Sequence, residues 1–146
     1  MRSVDPTTLS HKDRHQYLVG TVSPRPIAFV SSLSEDGIPN LAPYSFFNVF
    51  GSTPPILVFS VVQRPSDNSF KDTYNNLFTT REAVVNIVSH DIVHQMTLAS
   101  QNHAPEVDEF VKSGLTPVES VVVKPFRVKE SPAQFECKVK DIYPLG

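Results

Sequence analysis

Three consecutive residues, Lys71-Asp72-Thr73, place a cation and a hydroxyl where an amphipathic helix is predicted to begin. The first N–H groups of a helix have no intrahelical acceptor, and the positive end of the helix dipole favours an anion. The Lys71 ammonium would add charge, and the Thr73 hydroxyl would add a donor. The segment therefore predicts a phosphate site, although a solvated Lys71 and Asp72 with Thr73 as a helix-start residue explain the same pattern.

Residues 40–47 are a second segment with binding chemistry. Pro43 restricts Ala42 to extended backbone, so the following residues are expected to leave the strand with exposed N–H and C=O groups. A planar ligand with a polar edge and an apolar face needs such groups together with aromatic cover. The alternative is that the phenylalanines fill the core. The candidate contacts here are Asn40, Ala42, Pro43, Tyr44, Ser45, Phe46 and Phe47.

Arg25 is a third candidate because it stands between Pro24 and Pro26 at the predicted start of a strand. The two prolines nearly fix the backbone, so the guanidinium is held close to the strand end. A rigidly mounted cation suits a phosphate or a ring carbonyl. An ordinary salt bridge explains the same residue, and the sequence does not separate the two interpretations.

Short strands and a few helices must position these residues. Alternating apolar residues predict strands over 26–33, 38–44, 55–62, 83–88 and 133–143, and the turn at residues 34–37 joins the first two as a hairpin. The spacing of Phe70, Tyr74, Leu77 and Phe78 predicts a helix that begins near Lys71. Further helices are predicted over 91–100 and 106–112.

The pattern of these elements favours an antiparallel barrel. Strands dominate, and the helices interrupt them too irregularly for repeated strand-helix-strand units. The segment 55–62 is apolar on both faces, which is typical of a barrel wall covered by a helix or by a second subunit. The sequence therefore predicts a mainly β protein.

Composition narrows the function classes. The 146 residues suit one domain, and a net charge of -2 gives no basic field for nucleic acid. No apolar stretch approaches the ~20 residues that span a bilayer, and the first residues do not resemble a signal peptide, so we expect a cytoplasmic protein without membrane partners. The single cysteine, Cys137, excludes an internal disulfide and is predicted to be a small core residue.

The histidines give little support for a metal site. His90 and His94 have the i, i+4 spacing of two ligands on one helix face, but no third ligand is evident near them. Solvated histidines at a helix end explain the spacing better. We therefore predict no metal, and no Ser-His-Asp or Cys-His arrangement can be assembled from the sequence.

Taken in order, several blocks resemble the flavin reductase-like, FMN-binding split-barrel family. They extend over nearly the whole chain, and six in the same order are hard to produce by chance. The six blocks are Arg25-Pro26-Ile27-Ala28-Phe29-Val30-Ser31, Asp36-Gly37, residues 40–47, Pro54-Pro55, Lys71-Asp72-Thr73 with Asn75 and Asn76, and Val84-Val85-Asn86-Ile87-Val88. Farther along the chain, Asp108-Glu109-Phe110 and Phe135-Glu136-Cys137 also resemble the family's pattern.

The resemblance implies a six-stranded antiparallel Greek-key split barrel with a few short peripheral helices. It also implies one FMN-binding domain over residues 1–146, a homodimer with FMN near the interface, residues 40–47 beside the ring, and Lys71 and Thr73 near the phosphate. Members of the family usually continue through another strand, so this chain is expected to lack its final strand, with the barrel truncated at the C-terminus.

The function implied by the resemblance is an NAD(P)H-dependent flavin reductase that supplies reduced flavin or electrons to a partner monooxygenase or another acceptor. The flavin itself accepts the hydride, so no catalytic side chain is expected. No glycine-rich dinucleotide fingerprint distinguishes NADH from NADPH. The alternatives are an FMN-binding electron carrier or flavin store without a nicotinamide site, and a remnant that dimerises without cofactor.

Overall fold

The chain folds into short strands with helices between them, and the computed structural model describes residues 3–64 and 67–145. In chain order the strands are β1 (Ala28–Leu33), β2 (Pro39–Tyr44), β3 (Phe47–Ser52), β4 (Pro55–Phe59), β5 (Glu82–Ile87), β6 (Pro117–Val118), β7 (Arg127–Val128) and β8 (Gln134–Lys138). The α-helices are α1 (His11–Thr21), α2 (Asp72–Thr80), α3 (Val93–Ala99) and α4 (Glu109–Ser113), with 3-10 turns at Pro6–Thr8 and His90–Ile92.

The largest sheet has four antiparallel strands in the order β2-β1-β5-β8. Its register pairs Val30 with Ala42 on one side and with Val85 on the other, and Val85 in turn with Phe135. Strands β3 and β4 form a separate hairpin, as do β6 and β7. The mainly β prediction is confirmed, whereas the described strands form sheets of four, two and two and do not confirm a six-strand Greek-key count.

Two apolar clusters lie on opposite faces of the large sheet because successive strand residues point to opposite sides. Phe29 and Leu41 belong to the cluster that α4 covers with Phe110. Ala28 and Val30 belong to the other cluster, which α2 covers with Leu77. The sheet therefore fixes the helices that begin near the candidate site.

Most predicted elements are present with shifted ends. The helix predicted to begin near Lys71 begins at Asp72, with Lys71 as its N-cap residue. The helix predicted over 91–100 is a 3-10 turn followed by α3, and the one over 106–112 is the short α4. The strand predicted over 133–143 ends at Lys138.

Four elements were not predicted from the sequence, namely α1, β3 and the two-residue strands β6 and β7. Helix α1 has no buried residue, so it shows no apolar stripe, although Ser10 caps it by accepting a hydrogen bond from the Asp13 amide. Strand β3 begins at Phe47, where the chain was expected to run as an irregular segment. The chain bends at Ser45 and Phe46 and then re-enters a strand.

Within one chain, only one face of the segment 55–62 is covered, so cover of the other face by a second subunit stays a prediction. Leu57, Phe59 and Val61 pack against the cluster under α2, but Ile56 and Val58 on the other face are exposed within one chain. No helix of the described chain covers that face. Cys137 is half-buried against the same cluster, as the core prediction requires, and burial raises the pKa of its thiol.

Within residues 3–64 and 67–145, none of the helices combines the length and apolar character needed to cross a membrane.

Candidate functional site

An open pocket lies where the start of α2 meets the edge strand β2. The chain between α3 and α4 forms the opposite side, and one residue of α4 closes the base. The lining residues are Asn40, Ala42, Pro43, Tyr44, Arg64, Lys71, Asp72, Thr73, Ala99, Ser100, Gln101, Asn102, His103 and Glu109.

The N-terminus of α2 opens into this pocket without a side-chain cap. Lys71 occupies the N-cap position, and its side chain accepts no hydrogen bond from the helix. Lysine has no acceptor atom, so the first N–H groups of the helix remain available to another acceptor. The helix dipole adds a positive potential at the same place. This geometry suits an anion.

Asp72 stands in the first helical turn, and its charge is neutralised by Arg64. The Arg64 Nη2 atom lies 2.7 Å from Asp72 Oδ2. Arg64 also donates from Nη1 to the carbonyl of Phe70, which holds the guanidinium against the segment that leads into α2. The carboxylate that would otherwise repel an anion is therefore paired.

Lys71 extends over the ring of Tyr44, with its Nζ atom 5.5 Å from the ring centroid. It forms no ion pair with any residue that the structure describes. The ammonium is thus a positive charge at the pocket wall, and no carboxylate of the described residues forms an ion pair with it.

The Tyr44 hydroxyl is a buried polar group in the wall of the pocket. Tyr44 is only 5% exposed, and its hydroxyl has no hydrogen-bond partner among the described residues. Burial raises the pKa of Tyr44 to about 12, and the neighbouring Thr73 hydroxyl, which lies outside normal hydrogen-bond geometry, offsets only part of that shift. Buried hydroxyls are normally paired, so this one points to a ligand that would accept or donate a hydrogen bond.

A buried polar cluster behind the pocket connects three elements. Asn40 of β2 donates from Nδ2 to Glu109 Oε1 of α4 at 3.2 Å, and the Leu41 amide donates to Glu109 Oε2 at 3.0 Å. Thr73 of α2 donates from Oγ1 to Asn40 Oδ1 at 2.6 Å. Glu109 therefore holds the edge of β2, and β2 in turn holds the first turn of α2.

Burial raises the pKa of Glu109, and the hydrogen bonds from Leu41 and Asn40 and the nearby His103 counteract only part of this effect. The cluster continues inward, since Ser32 donates to Asn40 Oδ1 at 3.4 Å and Asn76 Nδ2 donates to Ser32 Oγ at 3.1 Å. The pocket wall is thus backed by satisfied polar groups.

The structure brings together seven of the residues predicted from the sequence. Asn40, Ala42, Pro43, Tyr44, Lys71, Asp72 and Thr73 all line the pocket. Thr73 differs from expectation in one respect, because its hydroxyl proton is donated to Asn40 and not toward the pocket.

Arg25, Ser45, Phe46 and Phe47 lie outside that lining. Arg25 donates from Nη1 to the carbonyl of Val19 at 2.6 Å and also to the carbonyl of Val22, at the end of α1. Its guanidinium lies 5.9 Å from the centroid of the Phe46 ring, and its Nε donates to Ser45 Oγ at 3.4 Å. Arg25 therefore ties α1 to the bend after β2. Phe47 packs against the cluster under α2.

Arg64, Glu109 and residues 99–103 also line the pocket, and none of them was predicted from the sequence as a site residue. Arg64 lies outside the elements predicted from the sequence, and no periodic pattern marks it. Glu109 was already part of the block Asp108-Glu109-Phe110 on which the resemblance rests, and Asp108 caps α4 by accepting from the Phe110 amide. That capping signal could have placed Glu109 in a first helical turn.

The two histidines with metal-ligand spacing are both exposed. His90 lies in the 3-10 turn and His94 in α3. Across the residues for which the structure gives positions, no group of three or more His, Cys, Asp or Glu side chains is arranged to hold a metal ion.

Solved structures share this fold closely. Nitrilotriacetate monooxygenase component B from Bacillus cereus is 36% identical with a TM-score of 0.95, and the match covers 100% of this chain and 71% of that one. The 2-nitrobenzoate 2-nitroreductase NbaA from Pseudomonas fluorescens is 30% identical with a TM-score of 0.89, covering 99% and 68%. The fold and its neighbours define a flavin reductase-like split-barrel protein.

The chain belongs to the family described as "Flavin reductase like domain", whose model matches residues 20–146. The resemblance noted in the sequence is thereby confirmed. An uncharacterized protein from Aquifex aeolicus is 47% identical over 131 residues, which is 90% of this chain and 66% of the relative. The chain thus spans about two thirds of the length of that relative.

Proposed function

We propose that this chain binds FMN in the pocket between β2 and α2 and acts as an NAD(P)H-dependent flavin reductase. The observation that carries the proposal is the meeting of three unsatisfied groups at one place. They are the N-terminus of α2 without a side-chain cap, the Lys71 ammonium and the buried Tyr44 hydroxyl, and the latter two have no carboxylate or hydrogen-bond partner among residues 3–64 and 67–145. An anionic ligand with further polar atoms would satisfy all three.

The phosphate of FMN fits the first two groups. Lys71 would supply charge, and the backbone N–H groups at Asp72 and Thr73 would supply donors aligned with the helix dipole. Arg64 would contribute by keeping Asp72 neutralised. A flavin without phosphate would lose these contacts, so the site should discriminate FMN from riboflavin.

The ring would lie along β2, where Ala42 and Pro43 line the pocket. Pro43 has no N–H and stands on an edge strand, so its carbonyl and the neighbouring backbone can face a ligand. Ser45, Phe46 and Phe47 lie farther along the same chain, and we propose that they border the far end of the ring. Arg25 would act there through the bend that it holds.

Bound FMN would supply a ring that accepts a hydride equivalent from NADH or NADPH and passes electrons on. The side chains would bind and orient that ring and exclude water from one face. No side chain of the pocket needs to act as a nucleophile. The charge of Lys71 would stabilise anionic groups of the ligand throughout.

We further propose a homodimer that buries the exposed face of the β3–β4 hairpin. Ile56 and Val58 on this face are exposed, and Phe50, beside the β-bulge of β3, is 69% exposed. An apolar face of this kind is typical of an interface between subunits. We also propose the six-stranded Greek-key closure expected from the resemblance, which requires two strands beyond those of the four-stranded sheet.

A reduced flavin made here would serve a partner enzyme. The Bacillus cereus neighbour is described as a monooxygenase component, and we propose an analogous partner monooxygenase or other electron acceptor for this chain. The competing function is an FMN-binding electron carrier or flavin store that lacks its own nicotinamide site.

Stopped-flow absorbance of the FMN-loaded protein separates these functions. We expect NADH or NADPH to bleach the flavin band during a single mixing experiment. A yellow protein that neither nucleotide bleaches would contradict the reductase and favour the carrier. A colourless protein that fails to take up added FMN would contradict the proposed function as a whole.

A further inference from the structure

The hydrogen bonds behind the pocket have a direction, and Glu109 sets it. Both carboxylate oxygens of Glu109 accept, one from the Leu41 amide and one from Asn40 Nδ2. An ionised carboxylate has no proton to donate, so the NH2 group of Asn40 must face Glu109. Its Oδ1 atom must therefore face Thr73.

This orientation determines where the Thr73 proton goes. A threonine hydroxyl has one proton, and the 2.6 Å contact from Thr73 Oγ1 to Asn40 Oδ1 uses it. Thr73 is 1% exposed and Glu109 is 7% exposed, so water does not compete readily for these groups. On its remaining side the Thr73 hydroxyl has only lone pairs, and lone pairs repel an anion.

We propose that Glu109 is a positioning residue that keeps the Thr73 hydroxyl proton turned away from a ligand in the pocket. The inference rests on the proposed flavin site for the identity of that ligand. Lys71 and the backbone of α2 then bind the phosphate without help from the Thr73 hydroxyl. Glu109 sets the strength of phosphate recognition from behind the pocket wall.

Glu109→Gln reverses the donor and acceptor roles in the hydrogen bonds that connect residue 109, Asn40 and Thr73. The Leu41 amide still requires an acceptor, so the glutamine oxygen stays on that side and its NH2 group faces Asn40. Asn40 must then rotate its amide to present Oδ1 to the glutamine and Nδ2 to Thr73. Thr73 accepts in this arrangement, and its proton becomes free to donate to the ligand.

A double-mutant cycle on FMN and riboflavin binding tests this inference. In the natural chain, Thr73→Val is expected to change the ratio of FMN to riboflavin affinity by less than about twofold, because no hydrogen bond to the phosphate is lost. In the Glu109→Gln background, the same substitution is expected to lower the ratio by about tenfold, which is the value of a hydrogen bond to a charged group. Equal effects in both backgrounds, or none in either, would overturn the inference.

Two controls accompany the cycle. Thr73→Ser retains the hydroxyl and should behave like the parent protein in each background. Thr79→Val removes a hydroxyl from the exposed side of the same helix, where Thr79 donates to the Asn75 carbonyl, and should not change the ratio. The cycle cancels the general electrostatic effect of removing the Glu109 charge, because that effect is present with either residue at position 73.

A measurement without ligand separates this inference from the proposed function. If the protein binds neither flavin, the proposed function fails, and the orientation of Asn40 still decides the role of Glu109. In NMR spectra, the side-chain amide protons of Asn40 should lie nearest Glu109 in the natural chain and nearest the Thr73 methyl group after Glu109→Gln. Amide protons of Asn40 that already lie nearest Thr73 in the natural chain would overturn the inference, even if the variant did not fold.

Discussion

The Arg64 guanidinium lies 2.7 Å from the carboxylate of Asp72, at the first turn of α2. A carboxylate at a helix N-terminus normally satisfies the dipole by itself and would repel a second anion. Here the cation from the preceding segment removes that repulsion and leaves the helix terminus available. Arg64 and Asp72 therefore act together to make the terminus attractive to a phosphate.

Arg64→Ala should weaken FMN binding more than riboflavin binding, because it leaves Asp72 unneutralised beside the phosphate. We expect a severalfold loss of the FMN to riboflavin ratio, about what a partly exposed ion pair contributes. Arg64→Ala combined with Asp72→Asn should recover most of the ratio. Arg81→Ala, at the other end of α2, is the matched control, and a similar loss with that variant would attribute the effect to net charge alone.

The orphaned hydroxyl of Tyr44 gives a prediction in which stability and binding move in opposite directions. Tyr44→Phe removes a buried polar atom that has no partner in the part of the chain that the structure describes, so the ligand-free protein should gain about 1 kcal/mol in free energy of unfolding. The same variant should bind FMN more weakly, since the ligand loses a hydrogen bond.

Urea denaturation and flavin titration measure the two effects. Tyr74→Phe provides the control, because Tyr74 is only half-buried and stacks on Phe70 with ring centroids 4.1 Å apart. A loss of stability in Tyr44→Phe would show that its hydroxyl already has a partner in the ligand-free protein.

Glu109 should make stability depend on pH. Its pKa is raised above the ordinary value of 4.5, mainly by burial, so the folded state holds this proton more tightly than the unfolded chain does. The contribution of Glu109 to the free energy of unfolding is therefore fully present below pH 4.5. It is lost as the pH rises through the pKa that Glu109 has in the folded state. Glu109→Gln should abolish that loss.

The measurement is the difference in free energy of unfolding between Glu109→Gln and the natural chain, followed upward from pH 4.5. As the pH rises, the variant should become more stable relative to the natural chain, and the difference should become constant above the pKa that Glu109 has in the folded state. Glu136 acts in the opposite sense, because backbone N–H groups of Val121 and Val122 lower its pKa, and its effect cancels in the difference. A difference that shrinks with rising pH would contradict the assignment.

The proposed dimer can be tested on the exposed face of β4. Val58→Asp should place a charge in the interface and weaken association by at least about tenfold, as expected for loss of a central apolar contact. Analytical ultracentrifugation across a dilution series, with and without FMN, measures this. Val111→Asp on α4 is the control, since Val111 is also exposed. A natural chain that stays monomeric at all concentrations with FMN bound would refute the shared interface.

The sequence patterns predicted the elements that bury a regular apolar face. Helix α2 was predicted because Tyr74 and Leu77 recur at helical spacing. Strand β1 was predicted because its apolar residues alternate, and because a turn follows it in which Gly37 adopts a φ of 81°. Helix α1 was missed because none of its residues is buried, so its polar sequence carries no periodic signal. Sequence periodicity therefore predicts a helix or strand when its buried residues recur at the helical or strand spacing.

The pocket was predicted where its residues are close in sequence and missed where they are not. Lys71, Asp72 and Thr73 share one helix start, and the helix geometry alone brings them together. Glu109 lies far along the chain from Asn40, and only the packing of α4 against β2 makes their contact. The direction of the Thr73 proton depends on that contact, so the helix start alone could not reveal it.

The central claim is that the start of α2 with Lys71 binds the phosphate of FMN. Calorimetric titration of the purified protein with FMN and with riboflavin tests it directly, repeated on Lys71→Ala and on the control Lys112→Ala. We predict one FMN per chain and a loss of about tenfold to a hundredfold in FMN affinity for Lys71→Ala, with riboflavin and the control little changed. Equal loss for FMN and riboflavin, or no binding of FMN to the natural chain, would contradict the claim.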